Sequence, residues 1–196
     1  MNKPFSLALS LSPALLLLGL LAGCTTGRKV QVNRPLNAND LHPEEPLYLV
    51  LLVENAAESA KSTELKARGE EVAPPDHEVF NDLFKELLAF RMREAGPYNQ
   101  VEIADFGPDE HRRVWQQATF LEIRVLWNIS GKPGALKVQY TSMGQMVRRP
   151  IDKVVWQGNI ITTVRQKDAS QSLEELINQG IGKQVDAIVE GVFKEP

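Results

Sequence analysis

Thr119-Phe120-Leu121-Glu122-Ile123-Arg124-Val125-Leu126-Trp127-Asn128-Ile129 is the stretch on which the fold turns. Leu121, Ile123, Val125, Trp127 and Ile129 share one face of an extended chain; Glu122, Arg124 and Asn128 share the other. Successive strand side chains point to opposite faces, so this alternation predicts a long strand with one face on a core and one toward water. Gly131-Lys132-Pro133-Gly134 follows as a turn. Leu136, Val138 and Tyr140 then alternate with Lys137, Gln139 and Thr141, and Val154, Trp156, Ile160, Thr162 and Val164 alternate again. Residues 142–150 either extend the second strand or form an irregular hairpin connection. The order 119–129, 135–143, 153–165 predicts an antiparallel meander.

Upstream, Leu47-Tyr48-Leu49-Val50-Leu51-Leu52-Val53 is a continuous apolar run between Pro46 and Glu54. Its length predicts a central strand buried on both faces. Residues 54–75 are charged, rich in Ala, Glu and Lys, and end in Pro74-Pro75, which predicts a solvated excursion or a functional loop. Asp76 stands where a helix N-cap belongs. Val79, Phe80, Leu83, Phe84, Leu87, Leu88 and Phe90 then recur at helical spacing, and Gly96-Pro97 closes the helix. Val101, Ile103 and Asp105 alternate in a short strand. Strand, helix, strand predicts a right-handed parallel crossover. Residues 108–117 predict a loop or a short helix.

Downstream, Ser172 and Glu175 have the spacing of a capping box. Leu173, Leu176, Ile177, Ile181, Val185, Ile188, Val189 and Val192 continue as a second amphipathic helix. Gly180 and Gly182 cost about 1 kcal/mol each in a helix interior, so close approach to the sheet is the expected compensation, with a local kink as the alternative. The element order β-α-β-β-β-α, with two apolar helix stripes to bury, predicts an α+β two-layer sandwich. Its mixed five-stranded sheet carries both helices on one face.

The chain's start has the layout of a secretory signal. Lys3 is the charged region, Phe5 to Leu21 the apolar region, and Ala22 and Gly23 the small residues at a cut before Cys24. The densest apolar part, Ala14 to Ala22, falls short of the roughly 20 residues of a membrane-spanning helix. Cys24 is the single cysteine, so no intrachain disulfide is available. Leu21-Ala22-Gly23-Cys24 resembles a bacterial lipobox. That resemblance implies removal of residues 1–23 and acylation of Cys24 with two or three fatty chains, each buried CH₂ contributing about 0.8 kcal/mol. Thr25, where inner-membrane lipoproteins commonly carry Asp, implies the outer membrane. Residues 24–45, broken by Asn33, Pro35, Asn37, Asn39 and Pro43, are expected to be a lipidated tether, and 46–196 a periplasmic domain. The tether's basic start, Arg28, Lys29 and Arg34, either touches anionic headgroups or simply keeps it soluble.

The topology is similar to the TolB amino-terminal-domain group of envelope lipoproteins, which takes in the small domain of the curli-secretion lipoprotein CsgG and the penicillin-binding-protein activator LpoB. The similarity rests on the lipobox Leu21 to Cys24, the helix Phe80 to Phe90, and the pair Leu121-Glu122-Ile123-Arg124-Val125 and Val154-Val155-Trp156-Gln157-Gly158. It implies an outer-membrane-anchored lipoprotein that acts without catalysis, as a binding, scaffold or regulatory partner in envelope biogenesis or secretion. A carrier of lipid or another hydrophobic ligand is a rival reading, as is a subunit of an oligomeric secretion assembly.

The remaining chemistry points the same way. A formal charge of −3 and an isoelectric point near 5.7 argue against a nucleic-acid surface, which needs clustered Lys and Arg. His42, His77 and His111 show no metal-ligand spacing, and no nucleophile motif, phosphate loop or dinucleotide fingerprint occurs. Asp109-Glu110-His111 reads as a solvated loop rather than an acid–base cluster. No enzyme, metal or cofactor is therefore expected. The candidate partner surface is Met143, Gly144, Met146, Arg148 and Arg149, because flexible methionines beside arginines suit an adaptable contact. The alternative is that Met143 and Met146 pack under the sheet edge. The meander also leaves an edge that a partner could extend by strand addition.

Overall fold

The structure, a computed structural model, describes residues 26–56, 78–104 and 118–194. The leader, Gly23, Cys24, Asp76, His77, Asp105, Asp109-Glu110-His111 and most of the 54–75 excursion lie outside the described residues. Six strands and two helices are described: β1 (Thr26–Arg34), β2 (Leu47–Asn55), α1 (Glu78–Ala95), β3 (Val101–Ile103), β4 (Thr119–Ser130), β5 (Lys137–Arg148), β6 (Lys153–Arg165) and α2 (Leu173–Phe193). The strands form one sheet in the order β1-β6-β5-β4-β2-β3. β3, β2 and β4 run parallel, and β4, β5, β6 and β1 alternate antiparallel. The fold class is the expected one, as are the parallel crossover and the meander. Residues 142–148 extend β5, which pairs with β4 along its whole length.

The strand count is six, not five, because Thr26–Arg34 is a strand rather than a tether. It pairs antiparallel with β6 from Thr26↔Val164 to Arg34↔Gln157. Val30 and Val32 point inward opposite Ile160 and Gly158, and Arg28 reaches Glu190 of α2. An edge strand needs few inward apolar side chains, and Arg28, Lys29 and Arg34 are the charges that protect such an edge. The chain from 35 to 46 then crosses one end of the sheet as a strap. Asp40 pairs with Lys153 of β6, Glu45 with Arg148 of β5, and the Pro46 carbonyl accepts from Thr119 N of β4 at 3.1 Å. The strap ends at β2.

Both helices cover the same face. Tyr140 stacks on Phe84 of α1 at 6.5 Å and donates to the Ile177 carbonyl of α2 at 3.1 Å. Odd-numbered β2 and β4 residues, Leu47, Leu49, Val53, Leu121, Ile123, Val125 and Trp127, are buried beneath the helices. β2 is thus flanked by strands on both sides but covered on one face only: Leu52 is 52% exposed, where burial on both faces was expected. The opposite face carries no second layer among the described residues, and the apolar run does not distinguish a strand so covered from one enclosed on both sides.

Glycines set how closely α2 lies on the sheet. A Cβ at Gly180 would sit 2.4 Å from Tyr140 Cε2, and one at Gly191 3.0 Å from Ile160 Cδ1. Gly180 therefore has the expected compensation. Gly182 meets nothing within 4 Å and gains none from packing. The capping box is formed: Ser172 accepts from Glu175 N, and Glu175 accepts from Ser172 N.

A buried polar network joins the layers. Gln184 of α2 accepts from Thr162 Oγ1 at 2.6 Å and donates to Ser142 Oγ at 2.6 Å and to the Ile160 carbonyl at 3.2 Å. It joins β5, β6 and α2 in one satisfied network, which fixes their register. Replacing Gln184 by Met keeps the length and strands Ser142 and Thr162. The expected loss is about 1–3 kcal/mol, read as a lower denaturant midpoint at unchanged slope.

Burial also holds two phenols neutral. Desolvation raises Tyr98 and Tyr140 above the ordinary tyrosine value. Unfolded, each ionises near pH 10, so stability is unaffected below that and falls above it, by up to about 1.4 kcal/mol per pH unit for each phenol. Tyrosinate absorbance for Tyr98 and Tyr140 is therefore expected at higher pH in the folded chain than in the unfolded one. Titration of both at the unfolded value while circular dichroism is retained would contradict this.

Candidate functional site: the uncovered sheet face

β2, β4, β5 and β6 turn their even-numbered or outward residues to an open groove of about 520 Å³. Val50, Leu52, Met143, Gln145, Gln157 and Asn159 are among its lining. Arg124 crosses it to Glu54, with Nε and Nη2 at 3.1 and 3.0 Å from one carboxylate oxygen, and Gln145 donates to Glu122 at 2.8 Å. Arg124 is thus paired with an acid within this face, and Glu122 is held by a neutral amide. Leu52 and Met143, at 52% and 46% exposed, are its large apolar side chains in contact with water. Exposed apolar side chains set among amides and ion pairs provide the mixed composition of a protein contact surface.

The five residues expected to form one surface are separated by the sheet. Met143 faces the groove. Met146 is fully buried on the helix side, where the Tyr98 hydroxyl lies 3.8 Å from its sulfur. A Cβ on Gly144 would lie 3.0 Å from Ile123 and 3.2 Å from Trp156, so this glycine makes room for the indole. Strand pleating is the reason: residues an odd number apart on β5 look opposite ways, so Met143 and Met146 cannot share a face. Arg148 grips Glu45 through Nη2 at 2.9 Å and Nε at 3.4 Å, and that partner raises its pKa. Arg149 pairs with Asp152 in the β5–β6 turn. Of the five, Met143 and Gly144 line the groove, while Arg148 and Arg149 belong to the strap end. Sequence reasoning passed over Leu52, Arg124 and Gln145. Alternation puts Arg124 on the outer face, but only the pairing of β2 with β4 sets Leu52 beside it, and no local pattern reveals that pairing.

Among the described residues, the grouping of metal-ligating types is His42, Glu44 and Glu45, whose ligand atoms all lie within 4.8 Å of one another. His42 Nδ1 is 3.1 Å from Glu44, whose carboxyl is held below its usual pKa by a backbone hydrogen bond and by His42. The guanidinium of Arg148 already occupies Glu45. A bound cation would have to displace it, so the set reads as an ion-pair cluster that fastens the strap. No helix among the described residues is long and apolar enough to cross a membrane.

No family model matches the chain, and no curated protein does. Solved structures resemble its fold. The PelC dodecamer from Paraburkholderia phytofirmans is 15% identical at a TM-score of 0.46, covering 83% of this chain and 96% of that one. Lipoprotein GNA1162 from Neisseria meningitidis is 15% identical at 0.32, covering 74% and 99%, respectively. TolB from Acinetobacter baumannii is 9% identical at 0.29, covering 87% of this chain and 32% of that one.

Proposed function

We propose that this chain is an outer-membrane lipoprotein, anchored through Cys24, whose periplasmic α+β domain binds another envelope protein without catalysis. The supporting observation is the uncovered sheet face, where Leu52 and Met143 stand exposed in a groove that holds the Arg124–Glu54 pair and the Gln145–Glu122 hydrogen bond. Such a face offers apolar contact at its centre and hydrogen-bonding amides around it, the layout of a non-obligate interface. A carrier of hydrophobic ligands needs an enclosed apolar cavity. Here the space between sheet and helices is filled by Trp156, Tyr140, Phe84, Leu88 and Met146, all fully buried. A photo-crosslinking residue in place of Met143 is expected to give one discrete protein adduct in intact envelopes, and the same residue in place of exposed Ile151 none. A smear, or equal adducts from both positions, would remove the groove as the docking surface.

A further inference from the structure

The strap and β1 together decide which end of the sheet faces the membrane. β1 begins at Thr26, two residues after Cys24. Two residues span at most about 7 Å. An acylated Cys24 therefore holds the Thr26 end of the sheet against the headgroups, with no slack for the domain to stand away. That end is continuous. Thr26 pairs with Val164, Arg165 with Lys137, and Lys137 with Ser130. The β4–β5 and β6–α2 connections are tied together there. Gln166 N donates to the Leu136 carbonyl at 2.8 Å, and Gln166 Oε1 accepts from Leu136 N at 3.1 Å.

Within residues 129–137 and 165–173 cations outnumber acids, four to one. Lys132 and Lys167 lie in the two connections and Lys137 and Arg165 at the strand ends beside them, and Lys132, Lys137 and Arg165 form no ion pair among the described residues. The acids nearby are Asp168, which accepts from Ser170 and Gln171, and Glu174 and Glu175 in the first turn of α2, where Glu175 closes the capping box. Ile129 and Leu173, both exposed, lie at the same end. By contrast, the strap end ties its cations to acids, Arg148 to Glu45, Arg149 to Asp152 and Lys153 to Asp40.

We propose that the end of the sheet formed by residues 129–137 and 165–173 is a membrane-contact surface that lies on anionic phospholipid headgroups. This rests on the lipid anchor at Cys24. Cations at the headgroup plane gain from the negative surface potential, and a leucine and an isoleucine beside them enter the interfacial layer. The anchor fixes the position and the basic end fixes the orientation. β5 then points away from the bilayer, carrying Arg148 about 36 Å from Lys137 at the strand rise of about 3.3 Å. The groove stands roughly perpendicular to the membrane, open to a partner from the side.

The test uses the full processed lipoprotein in nanodiscs of phosphatidylcholine alone, and of phosphatidylcholine with an equal part of phosphatidylglycerol. Hydrogen exchange of residues 131–137 and 165–170 is expected to slow in the anionic discs only, and to recover at high salt. Each cation removed is expected to weaken the contact about fivefold, so K132E/K167E loses the protection while exchange within β4 and β5 stays unchanged. Equal exchange in both discs would overturn the orientation while leaving the anchor standing. A chain that fails to stay with the neutral discs would remove the anchor, and the orientation with it. The salt arm decides the matter without any substitution.

Discussion

Trp156→Ala is expected to cost about 3–5 kcal/mol of folding stability, a large part of the 5–15 kcal/mol available to a domain. Trp156 is buried on the helix side of β6, and its ring runs across two glycines. A Cβ at Gly158 would lie 2.7 Å from Trp156 Cζ2, and one at Gly144 3.2 Å from Cζ3, so the strand positions beside the indole are empty because the indole fills them. Truncation leaves a cavity that those glycines cannot close. It also removes a cap. The last four carbonyls of a helix have no partner within it. Gly191 is among them in α2, and Trp156 Nε1 donates to its carbonyl at 2.8 Å. Trp156→Phe keeps most of the ring and loses the hydrogen bond, so about 1–2 kcal/mol is expected. Chemical denaturation of both variants separates the two contributions. Equal losses would mean that the hydrogen bond rather than the filling matters, contrary to the packing described.

Cys24→Ser is expected to release the chain from the membrane altogether or to leave its leader uncleaved. The effect is all-or-none because anchoring by acyl chains is additive: one chain binds marginally, two or more hold firmly, and none leaves only the basic end. With β1 starting two residues later, the sheet itself is expected to be unaffected, since among the described residues every pairing begins at Thr26 or beyond. Fractionation of cells carrying the variant checks this. A serine variant that still sediments with outer membranes, with its leader removed, would mean that the domain binds the envelope by some other route.

Much of this architecture was legible in the sequence because its signals are local. Alternation through β4, β5 and β6 fixed three strands and their faces, and Ser172 with Glu175 marked the first turn of α2 before any contact was known. What was missed depends on pairing. Thr26–Arg34 offers only Val30 and Val32 on its inward face, and beside Asn33 and Pro35 that reads as a polar tether until β6 supplies the ladder. Leu52 sits in an unbroken apolar run, and whether a second layer covers it is not written in the run itself. Nothing local in the sequence marks Gln184 as buried. Its burial follows from the hydroxyls of Ser142 and Thr162, which lie 42 and 22 residues away. The candidate surface failed to assemble for a related reason: five neighbours in sequence were read as neighbours in space, although a strand sends them to two faces and its far end.

The proposed fatty anchor at Cys24 would make this sandwich domain part of the envelope, and intact-mass spectrometry of the chain purified from its native membrane checks for it. The expected product begins at Cys24 and carries two or three acyl chains. A product with a bare amino terminus, or one that retains residues 1–23, would contradict it.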